Sequence, residues 1–294
     1  MGLAVGSVVA FSAWSSDPGI SPQPRPVSLD ALHRLPPINA VVHSWDPAGA
    51  RITLAEQRLT AACMTRHGFS YRPAAPGTEA DVEWPTLFGQ ESLAPHRART
   101  RDGSEPSTGR SAAYGRALLG DPDKQVTAHG ERLSVSAPAE GCLAEAEQRM
   151  LGNERVRWMQ LQILLQEGQE DAFEMVTRDR LFRAANARWI ACMHRAGFDV
   201  ASPSELAAHP QPGKDADSGR LTDLRCKEAD DYLTVAYTRL AVCERRWLTQ
   251  HPDVLRDRTA LLRQQDAAAR TVIGSGTGRG NSASRPTGTT DHYR

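Results

Sequence analysis

The chain has 294 residues, with 35 basic and 35 acidic side chains, no formal net charge and 40% apolar residues. That length holds one large domain or two modest ones, and the apolar share implies polar segments diluting a real core. The cations are nearly all arginines, with lysine only at Lys124, Lys214 and Lys227. They alternate with Glu and Asp, the pattern of solvated helix faces, which argues against nucleic acid as a partner.

Gly2 to Trp14 carries no charge and is apolar through Val5, Val8, Val9, Ala10 and Phe11. It is too short to span a bilayer but has the length of a signal-peptide apolar region, with Ala10-Phe11-Ser12 as a small-x-small cleavage site. No basic segment precedes it. Residues 1–14 therefore read as a truncated signal peptide or apolar leader that at most tethers the chain to a membrane. Residues 15–47, with Pro18, Pro22, Pro24, Pro26, Pro36, Pro37 and Pro47, read as a disordered Pro-rich linker.

From Ala48 to Arg66, Ile52, Ala55, Leu59 and Cys63 recur at helical spacing. The helix ends in Ala62-Cys63-Met64-Thr65-Arg66-His67-Gly68-Phe69, and the pattern returns as Ala191-Cys192-Met193-His194-Arg195-Ala196-Gly197-Phe198. In both copies Gly stands where a helix can stop on a left-handed residue, and the following Phe folds back on the last turn. Residues 70–110, broken by prolines and glycines, read as a long variable loop with only Trp84, Leu87 and Phe88 anchored. A short helix over 112–119 follows, then a β-hairpin from 125–128 and 133–136 turning at Gly130, and a helix opened by Gly141-Cys142.

Trp158, Leu161, Leu165, Ala172 and Val176 form the apolar stripe of a long helix whose polar back is Glu167, Glu170, Asp171 and Glu174. A second helix over 179–196 ends in the second Cys-Met element. Residues 199–219 read as a loop. A last long helix from Thr222 carries Cys226, Ala229, Leu233, Ala236, Leu240, Cys243 and Trp247 at alternating spacings of three and four, a heptad seam suited to bundle packing or to self-association. Another helix spans 254–269, and residues 273–294 read as a disordered Gly/Ser/Thr tail. The fold class is mainly α: a helical bundle with long antiparallel helices, one small β-hairpin, long Pro/Gly-rich loops and disordered termini. Its domain, 48–272, divides into two Cys-Met-containing halves, 48–150 and 151–272.

Three stretches carry a resemblance. They are Cys63-Met64 with Gly68-Phe69; Tyr114-x-x-Ala117-Leu118-x-Gly120 continuing to Pro138-x-x-Gly141-Cys142; and Trp189-x-x-Cys192-Met193 with Gly197-Phe198, followed by Cys226. Over roughly 48–272 the chain resembles a group of uncharacterised exported, helical, disulfide-containing proteins of actinobacteria. The resemblance implies secretion or attachment to the cell envelope and four paired cysteines, and it brings no activity. Cys243 is additional to that pattern.

In each half a helix-ending Cys-Met is followed by a cysteine that opens a helix, which suggests the pairs Cys63–Cys142 and Cys192–Cys226. Five cysteines allow fifteen ways of forming two bridges, so this pairing rests on the repeat. A zinc site from Cys63, His67, Cys192 and His194 competes with it, but there is no Cys-x-x-Cys, and Cys-x-His places its side chains on different helix faces. No metal or cofactor is expected. Cys243, on the seam, reads as a buried inert thiol against a redox-active one.

The nine histidines fall in no nucleophile context, and no Gly-x-Ser-x-Gly, His-Glu-x-x-His or phosphate loop appears. Among the tryptophans, Trp84 beside Pro85 and Phe88 is the candidate recognition residue, which makes Trp84 and Phe88 the candidate binding residues. The chain is thus expected to be an exported, disulfide-stapled helical protein that binds an extracellular or envelope partner through 70–110. The alternative is an extracellular hydrolase-like enzyme with a site between the halves near the same loop.

Overall fold

The computed structural model describes residues 27–73, 77–93, 111–208 and 216–277. The leader 1–14 and the tail from 278 lie outside them. Helices dominate, and β1 (Gln125–His129) and β2 (Ser134–Pro138) form one antiparallel hairpin in which His129 faces Ser134.

The repeated element forms as its residues dictate. Helix α3 (Pro47–Arg66) is started by Asp46, whose carboxylate accepts the Ala48 N–H at 2.8 Å. It ends with Gly68 at φ 79°, while Phe69 N–H donates to the Met64 carbonyl at 2.9 Å and Gly68 N–H to Thr65 at 3.0 Å. Helix α7 (Arg180–Arg195) ends identically: Gly197 sits at φ 82°, and Phe198 donates to Met193 at 3.0 Å. The left-handed glycine lets the chain reverse, so the last carbonyls find donors and Phe drops onto the final turn.

Two further short helices fold residues that composition assigns to linker: α1 (Leu29–Arg34) and α2 (Pro37–His43). Ser28 caps α1, Pro37 fills the first position of α2, and Leu32 and Ile38 are buried. The prolines here start helices, and the apolar residues between them enter the core, so the linker expectation fails from residue 27 onward. Helix α4 (Ala112–Leu119) precedes the hairpin and α5 (Cys142–Leu151) follows it.

Helix α6 (Arg155–Arg178) runs through the centre, with Leu161 and Leu165 packed against Trp247 and Val254. Glu167 is a correction to the solvated-face reading: it is 1% exposed and accepts the backbone N–H groups of Glu131, Arg132 and Leu133 at 2.6–2.8 Å. A hairpin turn presenting three amides to one carboxylate is an anion nest, and this one fastens the hairpin to α6. Gly168, the next residue, lets the Trp247 ring lie against the helix, since a Cβ there would come within 2.8 Å of the indole. Gly168→Ala is expected to cost about 1–3 kcal/mol by overpacking, read from urea unfolding.

The last long helix is two. Helix α9 (Ala216–Ala229) stops, Asp231 takes the left-handed conformation at φ 50°, and α10 (Tyr232–Gln250) begins anew. Asp is among the few residues that visit that region readily, which is why Asp230-Asp231 can break a pattern whose apolar spacing runs straight through. Ala236, Leu240, Cys243 and Trp247 remain buried within the chain, against α6 and α7, while Ala229 is exposed. Most of the seam is thus taken up by packing within the chain. The 199–219 loop contains α8 (Pro203–Ala208) and the start of α9.

Helix α11 (Pro252–Thr277) extends past the expected end and lies along α3. There Ile52, Ala55, Met150, Leu151 and Ala269 share one cluster. The first and last long helices therefore bind the two halves together, rather than each half closing on its own core.

One buried acid sets a pH response. Glu244 of α10 accepts the Ile38 N–H at 2.7 Å, holding the start of α2, while its other oxygen has no hydrogen-bond partner. Burial pushes its carboxyl up to about 7. A carboxyl that is more basic folded than unfolded keeps its proton better in the folded chain. Its contribution to stability is thus complete below about pH 4.5 and is lost as pH rises through 7. Glu56 on α3, raised to about 7 by burial and by Glu147, acts in the same direction. Stability should therefore fall from pH 4.5 to 7, by roughly 3 kcal/mol for Glu244. Glu244→Gln should flatten that slope in a urea series.

Candidate functional site

Trp45 and Trp84 stand at an open groove of about 550 Å³, lined also by Val42, His43, Thr78, Asp81 and Glu83. The end of α2 supplies His43, and the link to α3 supplies Trp45, whose Nε1 donates to the Gly77 carbonyl at 3.2 Å. The 77–86 segment forms the opposite wall. It is shaped by a 3-10 turn at Glu79–Asp81, where the Asp81 carboxylate accepts both the N–H (2.8 Å) and the hydroxyl (2.7 Å) of Thr78. A second groove of about 620 Å³ continues past Val42, Trp45 and Gly77 toward Arg258. Trp45 is the ridge between the two.

Trp84 is half-buried and held at several points. Its Nε1 donates to Asp30 at 3.1 Å, and the Arg34 guanidinium lies 5.3 Å from its ring. Arg34 bonds Asp30 at 2.9 Å and approaches Glu79 at 3.9 Å; its hydrogen bond holds the Asp30 carboxyl below the usual range. The His33 and His43 rings lie 5.6 and 6.4 Å from the indole. Burial lowers the His43 pKa, so that imidazole is neutral at pH 7. Among the described residues, the charged side chains lining the groove are those of Asp81 and Glu83.

Behind Trp84 lies a buried polar knot that pattern reading did not reveal. Glu91, 6% exposed, takes His33 Nε2 at 2.6 Å, the Tyr237 hydroxyl at 2.9 Å and the Phe88 N–H at 3.1 Å. Burial and the Glu91 charge push the Tyr237 phenol far up, so it stays protonated and donates. Beside it, Lys227 of α9 bonds Asp223 at 2.9 Å and the Gln90 carbonyl at 2.5 Å, and Asp223 accepts the Trp189 Nε1 at 2.9 Å. These ties hold residues 88–91 inside the protein. The 70–110 stretch is therefore in part core, and a Tyr and an Asp-x-x-x-Lys on helical periods were the only signals available for it.

Phe88 is corrected by the same finding. At 3% exposure it packs against Phe173, Phe182 and Tyr237, with centroids 5.1–5.7 Å away, so no external partner can reach it. Trp84 remains at the surface and gains Trp45 and His43 as neighbours in the groove.

The cysteines form Cys63–Cys142, across 79 residues, and Cys192–Cys226, across 34. Cys63 and Cys192 are each bonded to a different cysteine, and among the described residues neither Cys192 nor His194 groups with Cys63 and His67, so the four-residue zinc alternative does not assemble. Cys243 is free and 8% exposed, and burial raises its thiol pKa, which counts against a redox role. Among the described residues no helix is long and apolar enough to cross a membrane. Comparison of the chain with family models, curated proteins and solved structures returns no match.

Proposed function

We propose that the chain is an exported or envelope-associated, disulfide-stapled helical protein that acts by binding, and that the Trp45/Trp84 groove takes a cationic partner such as an arginine-rich peptide. The two disulfides support an oxidising setting. The observation that carries the binding reading is the groove itself, which sets two indoles beside the Asp81 and Glu83 carboxylates and a neutral His43. The stacking of Arg34 on Trp84 between Asp30 and Glu79 is an internal example of the recognition involved.

The hydrolase reading draws on the same groove, where neutral His43 could act as a base. Against it, the Thr78 hydroxyl is already committed to Asp81 as a turn cap. Titration with oligoarginine should quench tryptophan fluorescence saturably at low salt and weakly at high salt. Trp45→Ala should weaken binding about tenfold or more, an indole contact being worth 1–2 kcal/mol. Quenching that is linear, or unchanged in Trp45→Ala, would refute the assignment.

A further inference from the structure

Among the described residues, the first disulfide has an imidazole neighbour that the second lacks. His67 caps the C-terminus of α3, one turn beyond Cys63, and its ring nitrogen lies with the Cys63 and Cys142 sulfurs in a group whose ligand atoms are all within 4.8 Å of one another. Ala196 holds the corresponding place after Cys192. Two structurally equivalent disulfides thus differ in whether an imidazole faces them. The sulfurs are buried, but Cys63 borders a groove of about 450 Å³ with exposed His67 and Arg149 and half-buried Glu145, which gives an ion a route in.

We propose that Cys63, Cys142 and His67 form a redox-gated metal site: a cystine when oxidised, and a two-thiolate, one-imidazole site for Zn²⁺ when reduced. A dithiol reductant delivers two electrons and two protons to the S–S bond, giving two thiols and its own cyclic disulfide. Zn²⁺ then displaces both thiol protons to solvent as two Zn–S bonds and one Zn–N bond form. Tetrahedral zinc with Zn–S near 2.3 Å needs sulfurs roughly 3.8 Å apart. Side-chain rotation supplies that from Cα atoms already 5.5 Å apart. Cys142 opens α5, and a helix N-terminus favours the thiolate that soft metals bind. Glu145 is engaged by Arg66 at 2.8 Å, so the fourth position falls to water.

The test is differential alkylation of the full chain, reduced by a dithiol, freed of reductant under anaerobic conditions, and treated with a thiol-alkylating reagent with or without Zn²⁺. Peptide mapping reads each cysteine separately. The expected result is that Zn²⁺ slows alkylation of Cys63 and Cys142 by about tenfold or more and leaves Cys192 and Cys226 unchanged. His67→Ala, checked before reduction to be folded with both disulfides formed, should lose most of that protection. Equal protection of both pairs would mean metal capture by an unfolded chain and would overturn the site. Protection that persists in His67→Ala, or no protection at all, would overturn it equally.

Discussion

Asp223→Ala should destabilise the protein by about 3–5 kcal/mol in urea unfolding, because it strands a buried ammonium. The Asp223 and Lys227 side chains are each 1% exposed. Burial pushes the Asp223 carboxyl up and the Lys227 ammonium down, both against charge, and their mutual attraction restrains the two shifts. Without Asp223, Lys227 keeps the Gln90 carbonyl and the Tyr232 ring but no carboxylate at hydrogen-bond distance among the described residues, and Trp189 loses its acceptor. The double change Asp223→Leu with Lys227→Met removes the attraction and both desolvation costs, so it should cost far less than the two single changes added together. Additive losses would show that the pair is not the unit argued here. The same comparison bears on the groove: Lys227 holds Gln90, next to the Glu91 that anchors His33 behind Trp84.

Why some of this was legible in the sequence follows from where each feature's physics resides. The helix ends at Gly68 and Gly197 are local: a left-handed glycine, a returning Phe and a helical apolar stripe suffice, and both form as read. The disulfide partners were legible because the chain repeats its own arrangement. What escaped reading depends on contacts distant in sequence. Helices α1 and α2 look like linker because their stability comes from Glu244, 206 residues beyond Ile38, and from burial of Ile38. Glu167 sits on the polar side of its helical period and is buried only because the hairpin turn closes over it. Phe88 and Glu91 lie in a Pro/Gly-rich stretch whose composition says loop, and Tyr237 and Lys227, on α10 and α9, draw that stretch inward. Trp84 was found by the adjacent Pro85 and the nearby Phe88, whereas Trp45 and His43, across the groove, carry no local sign of facing it.

Replacing Cys63 and Cys142 together by Ala should be among the costliest changes, and should cost more than the same change at Cys192 and Cys226. On loop-closure entropy a bridge spanning 79 residues is worth about 4.5 kcal/mol and one spanning 34 about 3.8 kcal/mol. The entropic difference is therefore small, roughly 0.7 kcal/mol. Packing widens it. Cys63 and Cys142 sit at 2% and 0% exposure in a small cluster with Met64, Phe69 and Tyr114, and this cluster joins α3 to α4 and α5. The second bridge lies in the largest cluster, where Trp189, Tyr232 and Leu240 hold α7 against α10 without it. A thermal-unfolding series on the two double variants should rank the first below the second by several degrees. An equal loss would mean that the covalent constraint dominates and that packing around the first bridge adds nothing. A reversed order would place the weaker junction between α7 and α9, and the region around Lys227 would then be the first to open.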